Sequence, residues 1–325
     1  MIDSLGRTID YLRISITDTC NMQCVYCTPE CHTNMSPSLD SLSSEELLRI
    51  CHCMARLGVT KIKITGGEPL LRKDIISLVK EIKSISGIRQ VTLTTNGVLL
   101  DQTIEALVDA GLHGVNISLD TLNPEHFHRI TRRNQLRMVL DGLEKTLATS
   151  IPSVKLNTVA IQELNGDELM PLIELTRNTR LSVRFIELMP IGIGRQFTPM
   201  SPEMILSQIE ETFGPLKRIE QQGNGPATYY QLEGFKGTIG FISALSNEFC
   251  ESCNRIRLTA SGDLKLCLHY NKGISLKTAL ANHLTDDQLC DLIGSAIYNK
   301  PLKRGFKDPL DLAHLELKNM IQIGG

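Results

Sequence analysis

Two spaced sets of cysteines could do chemistry in this chain: Cys20, Cys24 and Cys27 as C-x3-C-x2-C, and Cys250, Cys253 and Cys267 as C-x2-C-x13-C. Thiolates this close on an irregular loop can converge on one metal centre, which a regular helix or strand would prevent. The number three is the informative part. A cubic 4Fe–4S cluster held by three cysteines keeps one iron free of protein ligands and open to a small molecule. A structural zinc ion instead closes its coordination with a fourth Cys or His. Cys31 and His32 could supply one to the first set, and His269 to the second. Two open sets in one chain are better explained by two clusters than by two incomplete zinc sites. Cys51, Cys53 and Cys290 fall in helical patterns and read as buried inert thiols, with Cys31 a bystander.

A group of cations points to a second kind of chemistry. Arg13, Lys63, Lys155 and Arg184 each sit inside a β-branched run, and Arg255 and Arg257 follow Cys253 directly, with Ile256 between them. A charge inside a parallel strand is costly unless it points into a polar cavity. One such Arg would suit a surface edge; several on different strands favour an anion site. Arg forks address phosphate with two bonds and Lys acts as a point charge. The P-loop pattern G-x4-G-K followed by Ser or Thr is missing, so a nucleotide site of that kind is excluded.

The elements that must position these residues are legible in the patterning. Strands are expected at Tyr11–Thr17, Lys61–Thr65, Gln90–Thr95, Gly114–Leu119, Val154–Ile161 and Leu181–Leu188, alternating with amphipathic stretches. Ser43 and Glu46 form a capping box ahead of one helix, and another from Asp101 to Ala110 ends at Gly111. Repeated strand–helix alternation argues for a parallel sheet, closed or open, with the active site at the carboxyl ends of its strands. After Met189 a Pro- and Gly-punctuated linker leads to a helix ending at Phe213, then to shorter runs spaced as hairpins and two further helical patterns. The division expected is a barrel unit over 1–200 and a smaller α+β unit over 201–325.

Composition narrows the setting. The 325 residues are 42% hydrophobic and 22% charged, enough for a sizeable core in an ordinary soluble chain. A formal net charge of −2 makes no case for nucleic acid or an anionic membrane surface. No apolar run approaches the ~20 residues of a membrane span, and no signal-peptide region opens the chain. Cytoplasmic placement is expected, where ten cysteines would stay reduced and serve metal rather than disulfides.

The first cysteine set, with Tyr26 before its last member, resembles the signature of the radical S-adenosylmethionine (SAM) superfamily, and Ile64-Thr65-Gly66-Gly67-Glu68-Pro69 resembles its GGE motif. With the runs LGRTIDYLRISITDTCNMQCVYC, LTTNG, NISLDTL, RFIELMP and FCESCNRIRLTASGDLKLCL, and the closing Gly324-Gly325, the chain resembles the GTP 3′,8-cyclase family nearly end to end. The resemblance implies an α/β fold: a partial (β/α)6 TIM-like barrel with a C-terminal α+β extension carrying a second cluster. It implies two 4Fe–4S clusters, and SAM held near Tyr26, Gly66, Gly67, Glu68, Ser118 and Met189. GTP would meet Arg13, Lys63, Thr94, Lys155, Arg184, Arg255, Ile256 and Arg257. The implied reaction is radical cyclisation of GTP to 3′,8-cyclo-7,8-dihydro-GTP, the first step of molybdenum cofactor synthesis. A reductant, a homodimer and hand-off to cyclic pyranopterin monophosphate synthase are implied too, and the Gly-Gly tail would reach the active site. The chain departs from the family pattern at Thr19, Thr28 and Lys63, and its Cys31–Leu42 segment looks short. Lys63 in place of an Arg keeps a phosphate contact but not a bidentate one.

Overall fold

The computed structural model describes residues 1–29, 41–220, 223, 225–246, 249–271, 273–302, 316 and 318–324. Cys31, His32 and Gly325 lie outside them. The strands are β1 Tyr11–Ser15, β2 Lys61–Thr65, β3 Gln90–Thr95, β4 Gly114–Ser118, β5 Ser153–Ala160 and β6 Ser182–Glu187. Beyond them come β7 Leu216–Ile219, β8 Thr228–Leu232, β9 Thr238–Ile242, β10 Arg255–Leu258, β11 Asp263–Lys265 and β12 Gly273–Ser275.

These strands form one sheet in the order β12-β11-β10-β1-β2-β3-β4-β5-β6-β9-β8-β7. From β1 to β6 every neighbour is sequential and parallel, with helices in the connections, as a partial (β/α)6 barrel requires. The strand expectations held to within two residues at each end. The later runs do pair as hairpins, but they also extend the same sheet. β9 adds to β6 and β10 adds to β1, both in parallel. Residue 200 therefore marks a change of sequence pattern while both sides share one sheet.

Alternation along the strands sorts side chains between two faces. In β3 and β5 every second residue is buried: Val91, Leu93 and Thr95, then Val154, Leu156, Thr158 and Ala160. The half-buried positions between them include Thr94, Lys155 and Asn157, the polar face. The helix Ser44–Arg56 shows how the apolar face is covered. Its capping box forms as expected, Glu46 N donating to Ser43 Oγ at 3.1 Å and Ser43 N to Glu46 Oε2 at 2.8 Å. Leu47, Ile50, Cys51, Cys53 and Met54 point inward, and each fully buried Leu or Ile contributes about 1.5–3 kcal/mol. Cys290, on the helix Asp286–Tyr298, is buried against this helix with its Sγ 3.9 Å from Cys53 O.

Candidate active site

The first cysteine set occupies the loop that leaves the carboxyl end of β1. Cys27 N donates to Cys24 O at 2.9 Å, and Met22 N and Asn96 Nδ2 lie 3.4 and 3.9 Å from Cys20 Sγ. Burial pushes the Cys20 thiol up to about 12 and Cys27 to about 11, and Cys24 is raised well above the ordinary range. Each of Cys20 and Cys24 also senses its partners' charge. Three crowded thiols disfavoured as free thiolates are the donor set that a positively charged iron–sulfur group would satisfy. Among the described residues no three His, Cys, Asp or Glu side chains come together to hold a single metal ion.

The glycine turn after β2 packs directly on this loop. A Cβ on Gly66 would stand 2.6 Å from Thr17 O, and one on Gly67 2.3 Å from Thr19 O. Gly67 N and Glu68 N donate to those carbonyls at 2.7 Å each. The close approach that demands glycine here is therefore to the cysteine loop. Glu68 is fully buried and braces the next loop, accepting from Leu70 N at 3.0 Å, Thr95 Oγ1 at 2.7 Å and Asn96 N at 2.7 Å. Burial pushes its carboxyl up to about 7. Tyr26 donates to Asp120 Oδ2 at 2.6 Å, and burial lifts Asp120 to about 6. Asp120 falls within the quoted NISLDTL run, yet its pairing with Tyr26 across 94 residues carries no local sequence signal. Ser118 is exposed at the end of β4 and Met189 is half-buried after β6.

The second set gathers at the opposite end of the sheet. Cys250 and Cys253 precede β10, which runs parallel to β1, while the first set follows β1. Cys267 lies just past β11, returned to the same end by the β10–β11 hairpin. Arg7 reaches this loop from the N-terminal segment, Nη1 donating to Cys250 O at 3.0 Å and Nη2 to Lys300 O at 2.9 Å. Lys300 Nζ in turn donates to Leu266 O. Burial alone would raise the Cys253 thiol, but Lys300 and then Arg255 hold it below the ordinary value. A thiol poised toward thiolate suits an iron–sulfur ligand. His269 is buried and edge-on to Tyr270, with ring centroids 5.2 Å apart.

Between the two ends runs a row of cations. Arg13 lies opposite Lys63 on one side and Arg257 on the other. Burial, then the neighbouring cations, pushes Lys63 well below its ordinary value and Arg257 down to about 9; burial pushes Arg13 to about 10. Arg184 forks onto Asn157 Oδ1 from Nε at 3.0 Å, and Lys155 Nζ donates to Tyr229 Oη at 3.2 Å. Arg255 lies over Phe249 at 4.7 Å, its buried Nε without a hydrogen-bond acceptor. A cavity of about 330 Å³ opens there, lined by Arg255, Asn254, Ser252, Phe249, Tyr229 and Arg218. Thr94 Oγ1 accepts from Asn116 at 3.4 Å, while Ile256 is fully buried within β10.

The C-terminal segment enters this row. Glu316 pairs with buried Lys265, and the turn Met320–Ile323 leads to Gly324. Gly324 O accepts from Arg13 Nε at 3.1 Å and from Arg257 Nη1 at 3.0 Å. Sequence reasoning missed Asn157, Tyr229, Asn254 and the Arg7–Lys300 frame, although Asn254 stands directly between Cys253 and Arg255.

Two family models match the chain: the Radical SAM superfamily over residues 14–176 and Molybdenum Cofactor Synthesis C over residues 181–306. A GTP 3′,8-cyclase of Clostridium perfringens (strain SM101 / Type A) is 43% identical over 330 residues, covering 100% of both chains. One from Desulforamulus reducens is 42% identical over 329 residues, again covering 100% of both. Molybdenum cofactor biosynthesis protein 1 of Mus musculus is 39% identical over 326 residues, covering 100% of this chain and 51% of that one. Among solved structures, Streptococcus suis SuiB bound to precursor peptide SuiA superposes with a TM-score of 0.64 at 15% identity, covering 96% of this chain and 70% of that one. That likeness speaks to the fold alone.

Proposed function

The chain belongs to the GTP 3′,8-cyclase family of radical SAM enzymes, and on that premise we propose that it converts GTP to 3′,8-cyclo-7,8-dihydro-GTP while SAM is cleaved to methionine and 5′-deoxyadenosine. The observation that carries this reading is the row of buried and half-buried cations running between two cysteine sets at opposite ends of one sheet. At a rise of about 3.3 Å per residue, the five residues of β1 put roughly 15 Å between those ends, room for two small molecules end to end.

Cys20, Cys24 and Cys27 would hold one 4Fe–4S cluster, and Cys250, Cys253 and Cys267 a second. When bound and reduced, the first supplies the electron that splits SAM into methionine and the 5′-deoxyadenosyl radical. The chain's own residues do the rest of the positioning. Gly66, Gly67 and Tyr26 shape the wall beside the first set, with Ser118 and Met189 at the rim; Glu68 acts as a brace. Arg13, Lys63, Lys155, Arg184 and Arg257 hold the triphosphate, and Arg255 with the Ile256 backbone meets the nucleotide beside the second set. Thr94 adds a hydroxyl. So fixed, one ribose C–H faces the radical in a site closed to water. A cellular reductant, a homodimer, hand-off of the product to cyclic pyranopterin monophosphate synthase, and the cytoplasm complete the proposal.

Losing one charge-assisted phosphate contact should cost about 1.5–3 kcal/mol, roughly ten- to over a hundredfold in binding. The test is anaerobic, with reconstituted protein, reductant, SAM and GTP deuterated at the ribose 3′ position. Deuterium should appear in 5′-deoxyadenosine together with a cyclised nucleotide. Arg257→Ala should lose the product while retaining its iron, and Cys24→Ala should lose 5′-deoxyadenosine altogether. Label retained in GTP while a peptide is modified instead would overturn the reading.

A further inference from the structure

The charges around the two cysteine sets differ in sign. Beside the first set stand carboxylates. Asp120 is bonded to Tyr26, the neighbour of Cys27, and the Glu68 carboxylate accepts from Asn96 N, whose side-chain amide lies 3.9 Å from Cys20 Sγ. Two cations among the described residues reach this loop through its carbonyls, Arg133 at Asn21 O and Arg72 at Ile16 O, each at 3.0 Å, and Arg72 is paired with Asp74. Beside the second set stand cations, with Glu251, between Cys250 and Cys253, exposed to solvent and Glu316 neutralised by its pairing with Lys265. Lys300 is 3% exposed and its Nζ is bonded to Leu266 O, the residue before Cys267. Its own carbonyl is held by Arg7, whose other Nη grips Cys250 O. Arg7 is paired with Asp3 at 2.6 Å, which offsets its field. Among the described residues no carboxylate pairs with Lys300.

Reducing an iron–sulfur cluster adds one negative charge to it. A buried cation alongside stabilises the reduced form, and a carboxylate opposes it. We infer that Lys300, set in place by Arg7, raises the reduction potential of the cluster on Cys250, Cys253 and Cys267 above that of the cluster on Cys20, Cys24 and Cys27. The inference rests on the two-cluster reading proposed above. Lys300 acts here through its charge and touches no substrate, so it is a positioning residue for the electron.

An anaerobic redox titration followed by electron paramagnetic resonance tests this on reconstituted protein. The Cys24→Ala variant assigns the second cluster's signal. In the unaltered chain that signal should titrate at the higher potential. Lys300→Gln, which removes the charge but retains a donor for Leu266 O, should lower that midpoint by roughly tenfold in the reduction equilibrium, about 59 mV for one electron. The first cluster's midpoint should not move, and Lys300→Arg should restore the second. A second cluster reduced at or below the potential of the first overturns the inference, as does an unmoved midpoint in Lys300→Gln. Should Lys300→Gln fail to load its cluster, Asp3→Asn decides: uncovering Arg7 should raise the midpoint, and a fall or no change counts against the inference. None of these readings uses GTP. A reversed order of potentials with intact cyclisation would sink this inference alone, and a correct order without cyclisation would sink the substrate assignment alone.

Discussion

At the scale of single residues, the tail and the buried carboxylates carry the sharpest consequences. Gly324 has φ +74°, and a Cβ there would stand 2.8 Å from Ser15 Cβ. An alanine would cost about 1–2 kcal/mol in backbone strain before that clash is counted. Gly324→Ala should therefore expel the tail from between Arg13 and Arg257, cutting cyclisation at least roughly tenfold. Melting temperature and iron content should stay near those of the unaltered protein. Glu68 makes a different prediction. Burial raises its carboxyl from an ordinary 4.5 to about 7, so the folded chain binds more protons than the unfolded one between those values. The stability linked to that proton is complete below the lower value and is lost as pH rises through the upper one. Unfolding free energy measured in urea should fall as pH rises from about 4.5 to 7, by at most about 1.4 kcal/mol per unit, and level off above, and Glu68→Gln should flatten the slope. The thiols and strand cations were readable because their chemistry is written in residue type and spacing. Arg7 and Lys300 were not, since each is an ordinary surface residue type whose partner lies 293 positions away.

At the scale of elements, β9 shows what a strand contributes by leaving a side chain out. Gly240 lies between Arg184 on β6 and Tyr229 on β8. A Cβ there would meet Arg184 Cγ at 2.9 Å and Tyr229 Cε1 at 3.0 Å. The missing methyl lets a guanidinium and a phenol share one face, where Arg184 and Lys155 hold the Tyr229 hydroxyl below its ordinary value against the effect of burial. Gly240→Ala should push both aside and raise KM for GTP roughly tenfold, with kcat and cluster content little changed. Steady-state kinetics and iron analysis would read this, and an unchanged KM would remove the pair from the site. The six barrel strands were legible from their β-branched runs between capped helices. That β9 and β10 would join the two edges of the same sheet was not, because pairing between distant segments leaves no local period.

At the scale of the whole molecule, the sheet depends on both halves of the chain. Without residues beyond 200, β1 loses β10 and β6 loses β9, exposing two long edges with free backbone donors and acceptors. A fragment of residues 1–200 should run as aggregate in gel filtration and fail to take up the first cluster, although its three cysteines are present. A monodisperse, cluster-loaded fragment would restore the independence of the two expected units. The cation row has a further consequence. Like charges crowded into the interior subtract from stability whenever nothing negative lies between them, and any polyanion that enters returns what they take. By mass action a ligand at a hundredfold its Kd adds about 2.7 kcal/mol, a large part of a domain's whole margin against unfolding. The amount of this protein that survives in a cell is then tied to its supply of nucleotide: chains without an anion are the ones that open, and that proteases clear first.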